Sequence, residues 1–472
     1  MNILLVSTNR NRQPVPVMPF GACLVAQAAE KAGHSVRFLD CMFKLNPLRA
    51  LADELEEHPP DVIGISLRNI DNNDMLHPRV FYNEVVPCVQ LIKKKLRVPV
   101  VLGGAAVALM PEQLMRHTGI DLAVVRNGED AFPRLLAVLA AGQDYEALDD
   151  IAHIEHGVFH QHRRGNSSYG GESLVTEFDK WLDLNTYRSW FSTVPFQTKR
   201  GCPYNCVYCT YHLSEGNEYR LCSPRSAAQA IIQLTERGMT DIELVDSVFN
   251  SPYDHALSFC EEVARAGVKA RLQTLELNPA FLDDTLLAAM ERAGFVGIGV
   301  TAESAADGVL AALGKGYTGS QVRSAAQAVG RHALPCFWMF LMGGPGETVE
   351  SVRDTIRFAE RYVRPQDSVF FNIGIRIYPG TKLESIARKE GVLSLHQSEM
   401  LAPVTYLTPD IDPGWIMEEV RAATKKHLNF ISLESLRLPG IGMIFRAGRF
   451  FGMTHPLWKY TVALRRGLQF IE

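Results

Sequence analysis

Three cysteines, Cys202, Cys206 and Cys209, stand in the run Gly201-Cys202-Pro203-Tyr204-Asn205-Cys206-Val207-Tyr208-Cys209, with the spacing C-x3-C-x2-C. Thiolates this close along one loop can hold three irons of a 4Fe-4S cluster, and with no fourth Cys nearby one iron keeps an open coordination position. Such an iron can chelate a small ligand and pass it an electron. A zinc site would need four ligands in two spaced pairs, yet the next cysteine, Cys222, lies thirteen residues beyond Cys209. Cys222, Cys260 and Cys336 stand in helical or apolar surroundings and read as packing residues. Nine cysteines in 472 residues, three of them in one loop, argue for metal ligation in a reducing compartment and against a disulfide framework.

The elements that must position this loop are strands alternating with helices, the pattern of a partial α/β barrel. Apolar strand runs are expected at Asp241–Val245, Ala270–Leu275, Val296–Thr301, Cys336–Met342 and Val369–Ile377, with a helix from Arg225 to Arg237 capped by Ser223-Pro224. Each strand ends in polar or small residues: Asp246-Ser247, Asn278, Glu303-Ser304, Gly343-Gly344-Pro345-Gly346-Glu347 and Tyr378-Pro379-Gly380-Thr381. Barrel chemistry sits at that end.

The first 140 residues carry a second α/β pattern. Buried parallel strands are expected at Ile3–Val6, Val36–Leu39, Val62–Leu67, Val98–Leu102 and Leu122–Val125, with a helix through Leu24, Val25, Ala28, Ala29 and Ala32 closed by Gly33. A doubly wound sheet binds ligands beyond the carboxyl ends of its strands, so the rim candidates are Ser7, Asp40, Ser66–Asn69, Gly103-Gly104 and Asn127-Gly128-Glu129. The Gly pair lets a flat or phosphate-bearing ligand come close, although a Gly pair is more often a turn. Ser66-Leu67-Arg68-Asn69 is more telling, because a polar run with an Arg follows a fully apolar strand.

The order of these first pieces resembles the cobalamin-binding domain at the front of many radical S-adenosylmethionine (SAM) enzymes, and Ile65–Asn72 is similar to the loop beneath the corrin in part of that family. The cysteine run closely resembles the radical SAM motif. The resemblance implies an α/β chain: a Rossmann-like cobalamin-binding domain (1–141), a linker with a hairpin (142–194), a partial (β/α)6 radical SAM barrel (195–390) and a helical C-terminal cap (391–472). It implies three cofactors, a 4Fe-4S cluster on Cys202, Cys206 and Cys209, SAM, and cobalamin. The corrin would meet Ser66, Leu67, Arg68, Asn69, Gly103, Gly104, Gly128 and Glu129. SAM would meet Tyr208, an aromatic residue against the adenine, with Glu303, Gly343, Gly344, Pro345 and Arg376. The chain lacks the Asp-x-His-x-x-Gly that supplies an imidazole to cobalt in methionine-synthase-like modules, so cobalamin is expected to bind with Arg68 near its lower face and no protein nitrogen on the metal.

The implied activity is methylation of an unactivated carbon, one SAM supplying the methyl by way of cobalt and a second being cleaved to a radical that abstracts hydrogen. A radical oxidative cyclase or rearrangement enzyme with the same cofactors is the alternative, and a non-catalytic cobalamin sensor a remoter one. An external one-electron reductant of flavodoxin or ferredoxin type would be the partner.

Composition agrees with a soluble enzyme: 47% apolar, 21% charged and a formal net charge of -4, with no basic excess for nucleic acid. A cytoplasmic location is the expectation, since no basic leader precedes Ile3–Val6 and no apolar run is long enough to span a membrane. Between the modules, His153, His156, His160 and His162 crowd ahead of Gly165, Gly170 and Gly171; exposed strand histidines explain them more simply than a second metal. The tail carries Arg437, Arg446, Arg449, Lys459, Arg465 and Arg466 among Phe445, Phe450, Phe451 and Trp458. These aromatic residues either pack on the body or touch an anionic membrane surface.

Overall fold

A computed structural model describes residues 1–146, 148–162, 174–394, 400–432 and 441–469. Gly165, Gly170, Gly171 and Arg437 lie outside the described residues.

The N-terminal sheet is built from β1 (Asn2–Ser7), β2 (Ser35–Asp40), β3 (Val62–Ser66), β4 (Val100–Gly103), β5 (Leu122–Val124), β6 (Ile151–Glu155) and β7 (Val158–Gln161). Its order is β2-β1-β3-β4-β5-β6-β7, the first five strands parallel. The chain reverses direction in the sheet between β1 and β3, and helices run out on opposite faces there, which opens a crevice at the strands' carboxyl ends. The helix Phe20–Lys31 forms as its apolar spacing requires, burying Cys23, Leu24, Ala26 and Ala29, and Gly33 follows at φ +89°.

Residues 142–161 are more than a linker. β6 and β7 pair antiparallel to β5 and to each other, so the hairpin extends the first sheet. Beyond it, Val175, Phe178, Leu182 and Tyr187 are buried in the hydrophobic core. Tyr187 donates to Asp40 Oδ2 at 2.8 Å, which ties this expected rim residue to the connecting segment.

The second sheet contains β8 (Val194–Phe196), then, past the short pair β9 (Lys199–Arg200) and β10 (Arg220–Leu221), β11 (Asp241–Leu244), β12 (Arg271–Leu277), β13 (Phe295–Glu303), β14 (Cys336–Met342) and β15 (Ser368–Ile373). The expected long last strand breaks after Ile373: Gly374 at φ +76° turns the chain into β16 (Ile375–Arg376), which pairs with β17 (Thr405–Tyr406). The helix after β10 spans Pro224–Glu236, with Ser223 accepting from Ser226 N at 3.0 Å.

The C-terminal region is not only a helical cap. β18 (Phe430–Ser432) adds a seventh parallel strand beside β15. The last segment then returns to the amino-terminal ends of the barrel strands, opposite the cysteine loop. A Cβ on Gly297, early in β13, would lie 2.5 Å from Pro456 and 2.8 Å from Trp458. Trp458 also packs on Phe337, and its carbonyl accepts from Ser368. This segment therefore plugs the floor of the barrel, while Phe450 and Phe451 stay exposed. No helix among the described residues is long and apolar enough to cross a membrane.

Candidate active site

A cleft of about 360 Å³ opens where the carboxyl ends of the first sheet face the barrel. From the first domain come Ser7, Ser66, Arg68, Gly103, Gly104, Asn127, Gly128 and Glu129; from the barrel come Gln197, Arg200, Tyr211, Ser214, Glu215 and Arg220. Glycine is required at one of these positions. Gly104 sits at φ +106°, and any Cβ there would collide with the Leu67 carbonyl. Gly103 has no atom nearer than 4.0 Å to its missing Cβ, so its surface is open to a ligand.

Arg68 makes no hydrogen bond or ion pair with the described residues. Its side chain is exposed within the cleft, and desolvation by the surrounding walls lowers its guanidinium pKa, against the opposing pull of Tyr211 and Glu243. An uncompensated cation inside a cleft marks a ligand position. Leu67, by contrast, is a core residue, and Asn69 is exposed outside the cleft lining. Both depart from the expected corrin contacts, because the loop alternates and alternate side chains leave the cleft. Glu129 reaches the lining but is spent on an ion pair with Arg200. Arg220 likewise donates to Asn127 Oδ1 at 3.1 Å, so these residues lock the two domains across the cleft floor.

The cysteine loop leaves β9 through Gly201, whose φ of +80° and contact with the Glu218 carbonyl exclude any side chain. Gly201 N donates to Glu215 Oε2 at 3.1 Å, and Cys202 N to the Gly216 carbonyl at 3.1 Å. Burial pushes Cys209 up to about 12 and Cys202 in the same direction, so thiolates form there only against a cation such as iron. Cys222, Cys260 and Cys336 are buried, as the sequence indicated.

Beside this loop, Tyr208 donates to Glu303, and Lys315 Nζ lies 3.1 Å from both the Tyr208 hydroxyl and Glu303 Oε1. Glu303 reaches them because the end of β13 bends out of register at φ +61°, a conformation costing a non-Gly residue about 1–3 kcal/mol. Burial opposes the Lys315 charge, but Glu303 and Tyr208 outweigh it and raise the ammonium well above its usual range. Lys315 escaped the sequence reading; its signal was the Gly314-Lys315-Gly316 turn. Val207 N donates to the Leu313 carbonyl at 3.0 Å, and a Cβ on Gly314 would lie 3.0 Å from the Asn205 carbonyl, so the turn rests on the cysteine loop.

A Cβ on Gly343 would collide with Leu407, and one on Gly344 would lie 3.3 Å from Leu313 and Ile375. The Gly343 amide is held by Glu347 at 3.2 Å, so Pro345 sits within a closed turn. Arg376 is elsewhere. Its Nε donates to Asp71 Oδ2 at 2.8 Å, and its Nη2 to the Met400 carbonyl at 2.8 Å. Both charged side chains are almost wholly buried, so the pair is an interdomain bolt that commits the guanidinium expected to meet SAM to protein partners. Glu276, at the end of β12, was also missed. It accepts no side-chain hydrogen bond among the described residues, and burial, followed by Glu303, pushes it up to about 7.

A barrel whose cysteine loop can hold a cluster with one open iron, joined across a cleft to a Rossmann-like domain with a glycine-containing rim, defines an iron–sulfur enzyme with a second ligand-binding domain. Comparison with known proteins agrees. The B12 binding domain model matches residues 12–136, and the Radical SAM superfamily model residues 196–359. The chain belongs to the cobalamin-binding-domain-containing radical SAM enzymes. It is 27% identical over 386 residues, 79% of each chain, to a protein of Pyrococcus horikoshii named uncharacterized methyltransferase PH0819. It is 23% identical to tryptophan 2-C-methyltransferase of Streptomyces laurentii, over 79% of this chain and 72% of that one. Among solved structures, TsrM from Kitasatospora setae, with cobalamin and a 4Fe-4S cluster bound, superposes with a TM-score of 0.85 at 19% identity, covering 100% of this chain and 99% of that one. That likeness shows the shared fold.

Proposed function

We propose that the chain is a C-methyltransferase acting on an unactivated carbon of a small molecule, peptide or lipid. One observation supports the reading: the cleft that the Arg68 loop lines on one side is lined on the other by Tyr211 and Glu215, which follow the cysteine loop, so the corrin side lies next to the segment that carries the cluster ligands. When bound, the cluster supplies an electron and an open iron for SAM, and cobalamin a methyl carrier that a carbon radical can use.

Within that space, Cys202, Cys206 and Cys209 hold the cluster. Ser66, Arg68, Gly103, Gly104 and Gly128 would hold the corrin, with the Arg68 cation beside it supplying charge and no nitrogen able to ligate a metal. Tyr208, Glu303, Gly343, Gly344 and Pro345 form the SAM side, with Lys315 holding Tyr208 and Glu303 in place. The burial of this triad keeps water from competing for SAM's charged groups. The two relatives above, and a hopanoid C-3 methylase of Methylococcus capsulatus that is 24% identical over 53% of this chain and 46% of that one, are all named for methyl transfer. The electron comes from an external flavodoxin- or ferredoxin-type reductant, in the reducing cytoplasm that the free thiols require.

The test is anaerobic reconstitution with iron, sulfide and hydroxocobalamin, followed by analysis of SAM products under reductant. Stoichiometric corrinoid with both 5'-deoxyadenosine and S-adenosylhomocysteine supports methyl transfer; 5'-deoxyadenosine without S-adenosylhomocysteine favours a cyclase or rearrangement enzyme. Retention of iron and of SAM cleavage in the Cys202, Cys206 and Cys209 triple alanine variant would overturn the assignment.

A further inference from the structure

The β6–β7 hairpin carries a cluster unrelated to either cofactor. Strand register sets His153 directly opposite His160, with Glu155 two residues along from His153 on the same face. One ligand atom from each of His153, Glu155 and His160 lies within 4.8 Å of the others. His153 is only 5% exposed, and its Nδ1 is buried with no hydrogen-bond partner. A buried imidazole nitrogen without a partner is rare, because both nitrogens normally find one.

The surroundings keep the three side chains together and leave their donors unspent. The His153 and His160 rings stack at 4.9 Å and 17°, and Tyr145 closes edge-on over His153 at 5.9 Å. Glu155 and His160 are exposed, so an ion can enter from solvent. Glu155 Oε1 lies 3.9 Å from His156 Nδ1. No cysteine belongs to the group, which separates it from the cluster loop.

We propose that His153, Glu155 and His160 form a divalent zinc site, with two imidazoles and one carboxylate as ligands and the remaining position open to water. This donor set suits zinc, copper or nickel, and zinc tolerates three protein ligands with an open fourth position. Bound there, the ion joins the two outermost strands of the first sheet. Asp150, immediately before β6, donates nothing to the ion; its carboxylate accepts from Arg126 Nε and from Asn127 Nδ2, each at 3.1 Å, so the root of the hairpin reaches the cofactor cleft.

The test uses the full chain with its iron–sulfur cluster reconstituted, stripped of adventitious metal and titrated with Zn2+, then with Co2+ as a spectroscopic substitute. One equivalent of Zn2+ beyond the iron is expected. Glu155→Ala and His160→Ala change exposed side chains and leave the fold intact, and each should weaken zinc binding by at least about tenfold, the loss seen even for groups one shell further out. The Co2+ spectrum should show visible d–d bands with no sulfur-to-cobalt charge-transfer band. The proposal is overturned by absent stoichiometric binding, by zinc affinity unchanged in both variants, or by a sulfur charge-transfer band that places the metal on the cysteine loop.

Discussion

The Arg376–Asp71 pair offers the sharpest test of how the two domains are joined. The side chains are 3% and 0% exposed and meet at 2.8 Å, and the Arg376 guanidinium also donates to the carbonyls of Ile377 and Met400. Arg376→Leu would leave the Asp71 carboxylate buried without a countercharge, with only the Asn73 amide donating to it at 2.9 Å. Stranding one partner of a buried ion pair costs about 3–5 kcal/mol. Two carbonyls lose a charged donor as well, which keeps the estimate at the upper end of that range. Asp71→Asn relieves the stranded charge, so the double variant should be less destabilised than the sum of the singles, with a coupling of about 2 kcal/mol or more. Urea unfolding of the cluster-loaded protein measures all three variants, and SAM affinity is measured in parallel under conditions where each variant is folded. The expected outcome is a large loss of stability with SAM affinity near that of the parent chain. Loss of SAM affinity by tenfold or more in Arg376→Leu, with the unfolding midpoint unchanged, would refute the bolt and restore Arg376 as a cofactor contact.

None of the described residues lining the cleft is a histidine, so the cobalt(II) electron paramagnetic resonance of protein loaded with cobinamide, which lacks cobalamin's own nitrogen base, should show no nitrogen hyperfine structure, and Arg68→His should introduce it; a nitrogen signal in the parent chain would overturn the reading that no protein nitrogen meets cobalt. Glu276 gives a pH test. Its pKa rises from 4.5 to about 7 on folding, so ionising it opposes the fold: the penalty is absent below the unfolded value, grows as pH rises, and is complete above the folded value. Glu276→Gln should therefore stabilise the cluster-loaded protein by about 2 kcal/mol near pH 6 and about 3 kcal/mol near pH 8.5, and a urea midpoint gap that does not widen between those pH values would contradict it.

Much of the architecture was legible along the chain, for reasons of local chemistry. Strands buried on both faces read as continuous apolar runs, so β1, β3, β12, β13 and β14 fell close to their observed positions. Ser223-Pro224 marked its helix because an N-cap and a fixed φ act within one turn. The cysteine triplet was legible because its three ligands share one loop, so spacing alone carries the chemistry. Ser66, Arg68 and the Gly pair were legible because the carboxyl end of a parallel strand faces the crevice.

Tertiary structure decided whatever depends on partners distant in sequence. Arg376 and Asp71 are 305 residues apart, and no local pattern distinguishes an arginine bolting two domains from one contacting a ligand. Lys315 joins Tyr208 across 107 residues, and Glu276 acquires its shifted pKa only when folding encloses it beside Glu303. The weakly periodic stretch after residue 141 read as a linker with a hairpin, and what tertiary structure added is that the hairpin completes the edge of the first sheet, where β6 is stabilised by β5. The tail looked like a cap over the active site, but Gly297 has no side chain and so leaves room for Pro456 and Trp458 at the barrel floor. The sequence by itself determined the strands, the cysteine loop and the cofactor class, since propensity, apolar burial and ligand spacing act over a few residues. Which side chains close the cleft, bolt the domains and surround the cluster was decided by packing, because burial and pairing energies exist only once distant segments meet.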